Sequence, residues 1–131
     1  MKPSILSAAM CLCTAIAVAL PAVADAASLR VRCEVRANPA RSKISVDASN
    51  VLPNALYTAR VLSGNAGVTS APRSAEGDEV EFDFDSNPAD IRAGATRIPA
   101  TFIKNRAVRA ALFNANGQFV AGPTTASCRV K

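Results

Sequence analysis

The chain predicts an all-β fold, a small sandwich of about seven or eight short strands with one short helical turn, built as a single domain over residues 27–131. Three observations predict it. Apolar and polar residues alternate in short runs and show no long helical period. Turn pairs such as Asn38-Pro39, Gly64-Asn65, Asn116-Gly117 and Gly122-Pro123 separate those runs. Two cysteines, Cys33 and Cys128, stand near opposite ends, where one bridge would close the whole domain.

A different kind of segment precedes the first strand. Met1 to Ser4 carry one basic side chain, and Ile5 to Leu20 carry no charge. Pro21 then breaks the run, and the small residues Ala24 and Ala26 flank Asp25 in the pattern of a cleavage site. This predicts a secretory signal over residues 1–26. A membrane anchor wants roughly 20 apolar residues, and this run ends sooner. Cys11 and Cys13 fall inside the signal, preceded by Met10 and Leu12 where a lipid-attachment box needs a small residue. The remaining pair, Cys33 and Cys128, is then expected to form a disulfide in an oxidising compartment. Closing a loop of that size stabilises by about 4 kcal/mol on the chain-entropy model.

Each strand is read from its alternation. Leu29, Val31, Cys33 and Val35 share one face, with Arg30, Arg32, Glu34 and Arg36 on the other. After the turn at Asn38-Pro39, Ile44, Val46 and Ala48 continue the pattern. Ala55 to Ser63 places Tyr57, Ala59 and Val61 together, and Leu56 and Leu62 opposite suggest cover on both sides. Val68 to Ser74 is polar and holds Pro72, which suits an edge. Val80, Phe82 and Phe84 alternate with Glu79, Glu81, Asp83 and Asp85, predicting three large core groups and a row of outward carboxylates that face solvent or a basic neighbouring strand. Asn87 reads as a helix N-cap, with Pro88 at the first helical position and Gly94 as the stop. Ile98 to Ile103 predicts a short strand. Ala107 to Phe113 and Gln118 to Ala121 flank an Asn-Gly turn and predict a hairpin. Gly122-Pro123 is expected to bend the chain before a terminal strand through Ala126, Cys128 and Val130.

This spacing of strands suggests a sandwich of immunoglobulin-like character, with a small β-barrel as the alternative. The charge is +5 overall, and removing Lys2 and Asp25 with the signal leaves it unchanged. Its distribution is uneven. Glu76 to Asp90 holds acids without a base, whereas Arg92 to Lys131 holds bases without an acid. Acidic and basic strands lying side by side would offset one another.

The chain has no histidine, which removes the usual general base and the commonest nitrogen ligand of zinc or copper. The glycines precede no phosphate-binding helix. Two carboxylates of the acidic strand could in principle serve glycoside hydrolysis, and Asp83, Asp85, Asn87 and Asp90 begin like a calcium loop. Pro88 and Gly94 then occupy the places of its glycine and bidentate glutamate. A solvated strand and a helix cap account for the same residues, so no enzyme, metal or cofactor is expected. Lys104, Arg106 and Arg109 form the densest basic cluster, suited to an anionic polymer or an acidic envelope protein. Nucleic acid is disfavoured by secretion and by the scarcity of aromatic groups. The sequence therefore predicts a secreted or periplasmic non-catalytic binding module, with no transmembrane segment in the mature chain. The alternative is a self-assembling structural component of the cell envelope.

Overall fold

The computed structural model describes residues 26–131, so the signal expected over residues 1–26 lies outside the described residues but for Ala26, as do Cys11 and Cys13. The chain begins with a hairpin of β1 (Ser28–Ala37) and β2 (Ala40–Ser49), paired from Ser28↔Ser49 to Ala37↔Ala40. In β2 the alternation is complete, with Ser42, Ile44, Val46 and Ala48 buried and their neighbours outward. Next come β3 (Leu56–Ser63), the short β4 (Ala66–Thr69) and β5 (Arg73–Ser74), and then the acidic strand β6 (Glu79–Asp85). Helix α1 (Pro88–Arg92) follows, capped by Asn87, whose side chain accepts from the Ala89 amide at 2.8 Å. The remaining elements are β7 (Thr96–Arg97), β8 (Ala107–Asn114), β9 (Phe119–Ser127) and β10 (Arg129–Val130).

These strands form two sheets packed face to face. Sheet A runs in the order β10-β1-β2-β6-β7, and sheet B runs β4-β3-β8-β9 with β5 also paired to β3. Two separate sheets with free edges make a sandwich rather than the barrel alternative. Between them lie Ile44, Val46, Phe82 and Phe84 of sheet A and Val61, Val108 and Leu112 of sheet B, all essentially inaccessible. Tyr57 joins this core and accepts the Leu52 amide on its hydroxyl at 2.9 Å.

Three expectations about the elements are corrected. Ile98 to Ile103 is no strand: β7 precedes it, and the segment crosses the open end of the sandwich as irregular chain. Pro99 supplies no ladder donor. Ile98, Phe102 and Ile103 are buried all the same, and the Ser42 hydroxyl donates to the Ala100 carbonyl at 2.8 Å while accepting the Ile103 amide. Gly122-Pro123 does not bend the chain out of its strand. Both residues lie within β9 where the register against β8 slips, forming a bulge. Gly122 adopts φ +101 with the Ala110 carbonyl pressed against it, and a side chain there would come within 2.7 Å of that oxygen. The third concerns β3, which is not covered on both sides, since Leu56 is about half exposed.

The end of the chain changes sheets. β9 pairs with β8 in sheet B, and after Cys128 the chain crosses to run parallel to β1 as β10. The crossing point is fixed covalently, because the sulfurs of Cys33 and Cys128 lie at disulfide distance, 2.03 Å.

Candidate functional site

The acidic strand ends in a closed corner. Alternation places Asp85 outward with Glu79, Glu81 and Asp83, to face solvent or a basic neighbouring strand. Asp85 does the second: it is buried against β2, because Arg41 of that strand and α1 cover the end of β6. Arg41 donates from Nε and Nη2 to the two oxygens of Asp85 at 3.0 and 2.8 Å, and its Nη2 also reaches Asp90 Oδ2 at 2.8 Å. The Asn87 amide adds a further bond to Asp85 Oδ1 at 2.9 Å. Burial disfavours the charged carboxylate, but these donors outweigh it and hold Asp85 below its ordinary pKa. The Asp85 hydrogen bond in turn raises Arg41.

That corner divides the four oxygen-bearing residues read as a weak calcium motif. Asp85 and Asp90 share a guanidinium, Asn87 caps α1, and Asp83 accepts the Ser45 hydroxyl at 3.0 Å on the open face. The residue that binds the corner together, Arg41, was missed. Its signal was its place in the β1–β2 hairpin, which needs the strand order of sheet A to become meaningful.

The outer face of sheet B is of another kind. Strands β3, β4, β5, β8 and β9 contain no acidic residue. Arg60 and Arg109 point outward there, with Leu62 directly opposite Arg109 and Thr58 opposite Phe113. Phe113 meets Phe119 edge to face with ring centroids 6.2 Å apart, and Phe119 remains more than half exposed. Arg60 and Leu62 lie over β4 because Gly67 has no side chain, since a Cβ there would fall 2.8 Å from either. Arg60 also donates to Thr69 Oγ1.

The basic cluster read from the sequence sits at one end of this face. Lys104 and Arg106 occupy the turn leading into β8, and Arg109 follows on the strand. Ser63 pins the turn by accepting the Lys104 amide at 2.7 Å, and the Arg106 carbonyl accepts the Cys128 amide at 2.8 Å. All three side chains are exposed, and none enters an ion pair among the described residues. The sequence reading missed Arg60, which joins the cluster only through strand pairing. The face is thus basic at one end and apolar at the other.

The outer face of sheet A mixes both signs. β1 and β6 are not neighbours, since β2 lies between them, so the basic row of β1 does not lie beside the acidic row of β6; Arg41 and Lys43 of β2 offset that row instead, where they lie beside Asp85. Arg32 pairs with Asp47 of β2 at 3.1 Å, and Glu34 pairs with Lys131 at 3.3 Å.

Among the described residues no helix is long and apolar enough to cross a membrane. Comparison with known protein families, with curated proteins and with solved structures finds no match to this chain.

Proposed function

We propose that residues 27–131 act outside the cytoplasm, after loss of the signal, as a non-catalytic binding module that recognises an anionic polymer. One observation carries the reading: the outer face of β3 and β8 joins Arg60, Arg109 and the Lys104–Arg106 turn without a single acid. Such a face attracts polyanions over roughly a Debye length, about 8–10 Å in physiological salt. The strand order also supports an immunoglobulin-like assignment, because β1-β2-β6 faces β4-β3-β8-β9. Cysteines at bonding distance fit an oxidising compartment.

The corner suits architecture rather than proton donation. A glycosidase acid needs a carboxyl with raised pKa, and Asp85 is shifted the other way. The sheet edges likewise favour a module over a polymer: β7 covers the end of β6, β10 covers part of β1, and the Pro123 bulge interrupts β9.

Retention of the mature protein on dextran sulfate tests the reading, with uncharged dextran as the control. Wild type should be held at low salt and released as salt rises. Arg60→Glu combined with Arg109→Glu should lose most of that retention at an unchanged melting temperature. Elution together with wild type would remove the β3–β8 face from consideration, and growth into polymers on sedimentation would favour the structural alternative.

A further inference from the structure

Two shallow concavities of about 590 and 740 Å³ lie on the outer face of sheet A and share Arg30, Arg32 and Glu81. They are parts of one trough. Its floor is β2, whose outward groups there are the short side chains of Ser45, Asp47 and Ser49, with Lys43 closing one end. Longer side chains form the walls, Arg30, Arg32 and Glu34 of β1 on one side and Glu79, Glu81 and Asp83 of β6 on the other. Arg73 stands at one end and Arg129 at the other.

The pairing register makes the arrangement repeat. Arg30 lies opposite Asp47, which lies opposite Glu81; on the next outward rung Arg32 lies opposite Ser45, which lies opposite Asp83. Both rungs therefore run cation, floor, anion in the same sense. The walls stand two strand spacings apart, about 9.6 Å. Asp47 satisfies Arg32, but Arg30, Glu79 and Glu81 enter no ion pair among the described residues. A solvated sheet face that merely balances its charges puts opposite signs on adjacent strands, where they meet. Here Arg32 meets Asp47 in that way, but Arg30 and Glu81 stand two strands apart across the floor.

We propose that the trough binds a short zwitterionic peptide across its width, with the carboxylate on Arg30 and the ammonium on Glu81, flanked by Glu79. Three extended residues span about 10 Å, which matches the wall separation. A simple anion or cation would satisfy one wall and be repelled by the other. A second copy of the chain is the competing occupant, because a two-fold axis along β2 would set Arg30 over Glu81. That axis also sets Asp47 against its own image, which disfavours the dimer. The proposal uses sheet A alone and does not depend on the polyanion reading of sheet B.

Calorimetric titration of the mature protein with triglycine, N-acetyltriglycine and triglycine amide tests it. Triglycine should bind in the millimolar range, with each blocked form weaker by about tenfold. Arg30→Gln and Glu81→Gln should each weaken triglycine by about tenfold as well, without a change in melting temperature, while Arg109→Gln should leave binding unchanged. Equal binding of all three peptides, or none at about 10 mM, overturns the proposal. So does a concentration-dependent dimer that Arg30→Gln abolishes, since the trough would then belong to a second copy.

Discussion

On sheet A the outward strands carry Glu34, Asp47, Glu79, Glu81, Asp83 and Asp85 among their arginines, whereas the outward strands of sheet B carry arginines and exposed aromatic groups without one acid. Inward, the two sheets are alike, each offering mostly apolar groups at every second position. The difference teaches that the inward pattern defines the sandwich and leaves the outward pattern free to differ. Sheet A spends one end of its charge on architecture at the Arg41–Asp85 corner, and keeps the rest in the open. Sheet B leaves its charge without an ion pair among the described residues.

The sharpest way to break this comparison is to cross from the inward to the outward side. Phe82→Ala should cost about 3–5 kcal/mol, because the ring is fully buried in a core with few other large groups. Phe119→Ala on the outer side of sheet B should cost under about 1 kcal/mol, its ring being 57% exposed. Denaturant unfolding of both variants measures the contrast, and comparable losses would mean that the outer aromatic pair belongs to the fold.

Within sheet A the contrast is between paired and open carboxylates. Asp85→Asn should destabilise by about 2–3 kcal/mol, below the full penalty for a broken buried pair because Arg41 retains some exposure. It should also change the response to pH. The folded pKa of Asp85 lies below its ordinary value near 3.8, so the carboxylate stabilises the fold at neutral pH, and that contribution disappears as pH falls below about 4. Melting temperatures from pH 6 down to pH 2 should therefore fall more steeply for wild type than for Asp85→Asn. Parallel curves would show that the corner is not the acid-sensitive element.

The smallest effect belongs to the open row. Glu81→Gln should alter stability by less than about 0.5 kcal/mol, since its side chain makes no ion pair among the described residues. A larger loss in thermal unfolding would place Glu81 with Asp85 as architecture and weaken the distinction drawn between the two halves of β6.

Much of this fold was legible from alternation alone. The inward sets of β2, β3 and β6, the Asn87 cap and the β8–β9 hairpin all follow from local pattern. What escaped depends on partners remote in sequence. Asp85 continues the outward phase of its strand, and only the return of α1 and Arg41 over it makes it buried. Ile98 to Ile103 is apolar because it plugs an end, a role that carries no period. The β3–β8 face and the sheet A trough both need strand order, since Arg60 and Arg109, or Arg30 and Glu81, are brought to one surface only by pairing.

The crossing of the final strand from sheet B to sheet A has a mechanical consequence. Cys33 and Cys128 join the first strand to that crossing and enclose 95 residues of sequence separation. Tension entering near Ala27 and leaving at Lys131 passes directly from one cysteine to the other, so the sandwich between them stays slack. Only the few residues outside the bridge can lengthen, by roughly 3.5 Å each. Under load the domain behaves as a short inextensible link that keeps both outer faces intact.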